Sequence, residues 1–227
     1  MSYTRAQVRD LIRQRCGIEY TTAQTDSELN NRINEAAVYT HEFNLGVYGE
    51  NYAIGSTTVT TASGTSSYAI SPSDFMSPLA VRLVFDDRSY PLLSFSVSDI
   101  ISTTSGTAWG AGSLPKYNVF RQLDGTFYIN FDPTPDGVHT VYITYHVMAP
   151  EYTSDSDSVT IPNVDLLVVE ACRRVKMKEQ RDPSEFIAER AAIQKRVEDW
   201  VGAIDDGQPA RTQTPRYRYR NYRDRVF

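Results

Sequence analysis

His139-Thr140-Val141-Tyr142-Ile143-Thr144-Tyr145-His146-Val147-Met148 alternates apolar and polar side chains, which is the period of a half-buried strand. Soon afterwards the period changes. From Ile161-Pro162 onward, Leu167, Val168, Ala171, Cys172 and Val175 fall on one face of a helix with a cationic end (Arg173, Arg174, Lys176, Lys178), as the helix dipole prefers. A switch from period two to a period of about 3.6 marks the edge between a β segment and a helical one.

Upstream of that edge the β texture continues. Residues 117–122 and 126–131 read as strands joined at Asp124-Gly125, and Pro133-Thr134-Pro135-Asp136-Gly137 turns the chain toward His139. Residues 80–85 and 88–93 read as a hairpin across Asp86-Asp87, after chain breaks at Pro72 and Pro78. Residues 57–61 and 67–70 flank a turn at Gly64, residues 97–102 read as a short helical turn, and residues 102–113 (STTSGTAWGAGS) form a small-residue loop centred on Trp109.

Helical signals lie outside this region. Thr4 and Gln7 have capping-box spacing ahead of Val8, Leu11 and Ile12, and Gly17 suits the stop. Thr25-Asp26-Ser27-Glu28 is a second capping box, followed by Leu29, Ile33, Ala36, Ala37, Thr40 and Phe43 on one face as far as Gly46. Asp182-Pro183-Ser184-Glu185 starts a last helix, whose apolar residues Phe186, Ile187, Ala191, Ile193, Val197, Trp200, Val201 and Ile204 lead to Gly207. Amphipathic helices each need a face to bury. The expected architecture is α+β: a helical bundle built from residues 1–48 and 160–207, an inserted antiparallel β domain over 49–159 (sandwich or barrel), and an extended basic tail at 208–227.

The 227 residues are 41% hydrophobic, 22% charged and 11% aromatic, with mean hydropathy −0.41. Such a chain can bury a real core, which excludes wholesale disorder, collagen and a coiled-coil rod. No apolar run approaches a membrane span, and Met1-Ser2-Tyr3-Thr4-Arg5 leads straight into a polar helix, which predicts no signal peptide. Two cysteines, Cys16 and Cys172, do not make a disulfide framework and read as small core residues. The expectation is a soluble protein made in a reducing cytoplasm.

Charge is unevenly distributed. Residues 208–227 hold six arginines against Asp224 alone, which leaves 17 of the 23 basic and 27 of the 28 acidic residues in 1–207. An acidic body therefore carries a basic tail.

Few residues of the sequence suggest chemistry. Phosphate-loop, dinucleotide-loop, zinc and nucleophile-elbow motifs are all missing from the sequence. His41, His139 and His146 read as surface or boundary residues, and a nucleophilic cysteine needs a positioned base, whereas Cys16 and Cys172 fall among helical apolar positions. Glu151, Asp155 and Asp157 could bring carboxylates to a divalent ion, but the loop lacks the glycine and ligand number of known calcium loops. It reads as a solvated acidic loop, and Asp86-Asp87 as turn chemistry rather than an acid pair. No catalytic residue, metal or cofactor is expected.

The tail is different. Arg216-Tyr217-Arg218-Tyr219-Arg220-Asn221-Tyr222-Arg223 alternates guanidinium and phenol. It can bind nucleic acid by phosphate pairing and stacking, add to a sheet edge or protein groove, or simply solubilise the chain. Arginine with tyrosine is the composition of interfaces, which favours protein docking. Its composition predicts disorder in the isolated chain, because no apolar face offsets the ordering entropy.

The order of features carries a resemblance. A helix pair runs into Tyr68, Ile70, Pro72, Asp74 and Phe75. A β hairpin follows, then Leu114-Pro115-Lys116-Tyr117, Asp132-Pro133-Thr134-Pro135-Asp136 and Tyr142-Ile143-Thr144-Tyr145. Val159-Thr160-Ile161-Pro162 and a helix with Glu170-Ala171-Cys172 complete the series. Over residues 4–204 this resembles the head-to-tail adaptor (connector) proteins of tailed bacteriophages, including the podovirus tubular tail protein A type. The resemblance implies a dodecameric ring joining the portal to the tail tube or nozzle protein. That ring would extend the channel through which DNA passes, without sequence-specific binding, for genome retention and ejection. It implies a structural virion protein of the neck, assembled in the host cytoplasm, with no enzyme activity and no membrane.

On this reading Arg211, Arg216, Tyr217, Arg218, Tyr219, Arg220, Tyr222, Arg223, Arg225 and Phe227 form a portal-docking tail, and the loop around Trp109 contacts a tail component. The weighed alternative for Trp109 is that it folds back onto its own β domain. The alternative functions are a receptor-binding or baseplate-like tail protein and a tail-borne cell-wall hydrolase.

Overall fold

A computed structural model describes residues 3–18, 24–85, 88–96, 109 and 114–206, the last three for their backbone only. The Asp86-Asp87 turn, the helical turn at 97–102, the loop 102–113 apart from Trp109, and the tail 208–227 lie outside the described residues. Among these, the fold is α+β, with four α-helices and sheets that are antiparallel save for one short pair.

The helices start and stop where their caps dictate. Helix α1 (Arg5–Cys16) begins at a complete Thr4/Gln7 capping box and ends at Gly17 in the left-handed region, φ 66°. Helix α2 (Asp26–Tyr48) begins at the Thr25/Glu28 box. It does not stop at Gly46: it runs on to Tyr48, and Gly49 (φ 57°) supplies the turn. Helix α3 (Val164–Lys178) starts later than Ile161-Pro162 predicts, with Asn163 as its N-cap at φ 63°. Helix α4 spans Ser184–Asp206, and the Asp182 carboxylate accepts from the Ser184 N–H at 2.9 Å.

All four helices share one core. Val8 and Ile12 of α1, Leu29 and Ile33 of α2, and Phe186, Ile193 and Val197 of α4 surround α3. The single apolar face expected of α3 is an underestimate. Leu166 through Cys172 is buried at every position, and seven consecutive residues cover all sides of a helix. Helix α4 errs the other way: Ile187 (43% exposed) and Trp200 (58% exposed) lie outside the core, because its apolar residues span a wider arc than its neighbours cover.

The strands make a second core from two four-stranded sheets. Strands β2 (Ile54–Thr60), β4 (Phe75–Phe85), β5 (Arg88–Pro91) and β9 (Thr140–Val147) form one in the order β2-β9-β4-β5. Strands β3 (Ser67–Ala69), β6 (Leu93–Ser94), β7 (Lys116–Arg121) and β8 (Phe127–Asp132) form the other in the order β3-β8-β7-β6, with β6 and β7 parallel. Val81, Leu83, Val141 and Ile143 from the first meet Tyr117, Ile129 and Phe131 from the second. The predicted alternation of 139–148 holds, since Val141, Ile143 and Tyr145 are buried and Tyr142 exposed. Pro78 does not break the chain. It sits inside β4 at a register shift between Pro78 and Ala80, where a residue without N–H is tolerated.

A third, two-stranded ribbon pairs β1 (Tyr3–Thr4) with β10 (Ser158–Val159). It ties the start of α1 to the segment that leaves the sandwich.

Candidate functional site

Three polar assemblies stand out. The first surrounds Trp109, which is 4% exposed. Its Nε1 donates to the Pro133 carbonyl at 2.8 Å. Its ring stacks on His139 at 5.1 Å and 22° and meets Phe131 edge-on at 5.3 Å. His139 Nε2 in turn lies 2.9 Å from Asp136 Oδ1, and this hydrogen bond holds the Asp136 carboxyl below its usual range. Of the two arrangements weighed for Trp109, the indole takes the inward one. Burial of a large aromatic with its N–H satisfied explains that choice, and a contact surface cannot be read from this side chain.

The second assembly is the loop read as solvated acid. Asp155 is held by arginines. Arg5 Nη2 and Arg9 Nη1 both donate to its Oδ1, at 2.8 and 2.9 Å, and Arg9 Nη2 donates to its Oδ2 at 3.0 Å. These bonds lower its pKa, Arg9 contributing first. Asp157 Oδ2 accepts the N–H groups of Ser154 and Thr153, at 2.8 and 2.7 Å, which also lowers its pKa. The Arg5 N–H meets the Asp157 carbonyl at 2.9 Å. A carboxylate facing two guanidinium groups sits in a field that repels a cation, so the loop is a clasp on α1. Among the described residues no group of His, Cys, Asp or Glu has metal-site geometry.

The third assembly escaped the sequence altogether. The Glu170 side chain is completely buried, and four donors reach its carboxylate. Arg173 Nε and Arg190 Nη1 meet Oε2 at 2.8 and 2.9 Å, while Arg173 Nη2 and Arg174 Nε meet Oε1 at 2.7 and 2.8 Å. Burial opposes the charge, but Arg173 and Arg190 outweigh it, and the pKa lies below the usual range. Arg174 continues to Glu35 at 3.0 Å, which Arg32 also holds, and Arg190 lies over the Tyr39 ring at 5.2 Å. A helix-length apolar run with one acid gives no signal for this. The sequence shows only a cationic helix end, Arg173, Arg174, Lys176 and Lys178.

Other sequence candidates settle as structural groups. Cys16 and Cys172 are free and buried. A hydrogen bond from Cys16, with burial, pushes the Cys172 thiol far up and away from nucleophilic use. His41 is a buried residue rather than a boundary one: its Nδ1 lies 3.2 Å from the Tyr52 hydroxyl, and burial lowers its pKa. His146 Nδ1 meets the Tyr52 carbonyl at 3.1 Å. Asn34 and Asn44 of α2 bond the backbone of Tyr152 and Pro162, which fixes α2 to the chain leaving the sandwich. The ten tail residues from Arg211 to Phe227 lie outside the described residues.

These assemblies are scaffolding: opposite charges paired to hold helices, and polar tips satisfied by backbone. A scaffold fits the family to which the chain belongs, the SU10 adaptor protein family, whose sequence model matches residues 3–224. The chain is thus a phage adaptor-type structural protein, a class that engages portal and tail proteins at the virion neck. No curated protein matches it. No described helix is long and apolar enough to cross a membrane.

Proposed function

We propose that the chain is a head-to-tail adaptor of the podovirus tubular tail protein A kind, twelve copies of which form a ring between the portal and the tail tube or nozzle protein. The carrying observation is the match to the adaptor family over residues 3–224. In this reading residues 1–48 and 160–207 form a helical bundle, residues 49–159 an inserted β domain, and 208–227 an extended tail. Separate cores for helices and strands support the division.

The acidic body lines a channel that repels DNA phosphate, so that DNA slides during packaging and ejection without sequence-specific binding. The ring assembles in the host cytoplasm and works without catalysis or cofactor. Arg211, Arg216, Arg218, Arg220, Arg223 and Arg225, with Tyr217, Tyr219, Tyr222 and Phe227, dock on acidic and apolar groups of the portal. Twelve weak tail contacts reinforce one another through effective concentration. The loop around Trp109 contacts a tail component through residues other than the inward-facing indole.

The test is attachment of the purified chain to portal-bearing heads, with mass measurement of the free and bound forms. A chain lacking 208–227 should keep its folded body and lose attachment, and attachment should slow with salt. Attachment unchanged by the deletion would refute the docking role. A gel shift of DNA by the full chain at physiological salt would move the tail to nucleic acid.

A further inference from the structure

The sheet β2-β9-β4-β5 has two edges of opposite character. The Leu92 N–H bonds the Val81 carbonyl at 2.8 Å, which turns Ser89 and Pro91 of β5 outward. Pro91 offers no N–H, so that edge is blunted.

At the other edge, the Thr61 N–H bonds the His139 carbonyl at 2.9 Å and the Val147 N–H bonds the Ala53 carbonyl at 2.8 Å. In this register the odd-numbered residues of β2 bond β9. Ile54, Ser56, Thr58 and Thr60 therefore aim their N–H and C=O groups away from the sheet, and none of these groups meets a partner among the described residues. Ile54-Gly55-Ser56-Thr57-Thr58-Val59-Thr60 has no charge, no proline and no bulge. Among the described residues it lacks the devices that keep an edge from pairing. Beside it, Ile54 and Tyr142 are about half exposed.

We propose that this edge accepts residues 216–223 of a neighbouring copy as an added strand. The occupant is argued from three observations. Residues 216–223 have strand period and match β2 in length. The nine residues 207–215 between Asp206 and this segment reach up to about 30 Å when extended, enough to carry it off its own body toward an adjacent copy. The edge is uncharged, so it imposes no repulsion on the arginines, while exposed Ile54 and Tyr142 give Tyr217 and Tyr219 an apolar surface to cover. Aromatic side chains beside β-branched ones are favourable cross-strand pairs. Arg216, Arg218 and Arg220 then project from the opposite face of the added strand. This deepens the adaptor reading and rests on it, since it needs copies side by side: it moves Tyr217 and Tyr219 from the portal to the neighbour's sheet and leaves the arginines on the other face of the added strand to meet the portal.

The experiment measures amide hydrogen exchange of the β2 segment in the assembled full-length chain, with the particle mass recorded in parallel. Exchange should be at least about tenfold slower than in the chain lacking 208–227, and Thr58→Pro, which removes one outward N–H and leaves the β9 ladder whole, should abolish the difference. Thr58→Lys should weaken it should the proline variant misfold. An isotope-labelled chain lacking 208–227, mixed with full-length Thr58→Pro chain, should regain slow exchange on the labelled strand.

An intact ring with equally fast exchange in both chains overturns this inference alone. Slow exchange in the dilute monomer assigns the edge to the chain's own tail, and slow exchange in the truncated ring assigns it to another strand; either overturns the proposal. Absence of any assembly by mass overturns the ring reading and this inference with it.

Discussion

The Tyr145 ring covers Gly55, its partner across the β2–β9 ladder, so closely that a β-carbon at residue 55 would lie 2.5 Å from the ring Cζ. The Tyr145 hydroxyl donates to Asp74 Oδ1 at 3.1 Å, and the ring packs on Phe75 at 5.0 Å. Gly55 thus leaves room for an aromatic that belongs to the core of the strands.

Gly55→Ala should destabilise the chain by about 2 kcal/mol, the cost of forcing a well-packed ring aside. Thermal denaturation of the variant checks this. A midpoint equal to wild type would mean that the ring relaxes freely.

Glu170→Gln should cost about 3 kcal/mol, because Arg173, Arg174 and Arg190 would lose the one carboxylate that joins them. Denaturant titration gives the value. Replacing Arg173 in the Gln variant should cost much less than replacing it in wild type, a coupling that a double-mutant cycle measures.

Trp109→Ala should lower stability by about 3–5 kcal/mol, since a buried indole and its bond to Pro133 are lost together. A variant of unchanged stability that fails to attach to tails would put the indole at an interface instead.

Acid should loosen the clasp on α1. Asp155 and Asp157 have pKa values lowered from an ordinary 3.8 by their folded-state hydrogen bonds. Their contribution is therefore complete above the unfolded value and is lost as pH falls through the lower folded value. Asp155→Asn should be less stable than wild type at neutral pH, and the gap should narrow progressively as pH falls below about 4. Melting curves across that range decide it; a gap constant with pH would refute the ionic role.

What the sequence disclosed was local. Thr4, Gly17, Thr25 and Asp182 act through neighbours a few residues away, and the alternation around Tyr142 needs only one strand and its two faces. What it hid was tertiary. Nothing near Pro78 says that a register shift will absorb it. Nothing near Glu170 announces Arg190, twenty positions on, and nothing near Asp155 announces Arg9, 146 positions back. Trp109 stood in a loop of glycines and serines, and the Pro133 carbonyl with the His139 and Phe131 rings gives it a seat. The cationic end of α3 was visible in the sequence; its pairing with Glu170 and Glu35 was not.

Helix α3, buried on every side, has a consequence for how the chain is made. Helices α1 and α2 leave the ribosome with apolar faces that α3 later covers, and 115 residues lie between the end of α2 at Tyr48 and the start of α3 at Val164. At about 5–20 residues per second the two early helices wait roughly 6–23 s for it. The intervening strands fill that interval with a sandwich that closes on itself. The order of folding is thus sandwich first, helical core last, and the apolar faces of α1 and α2 stay exposed until α3 emerges.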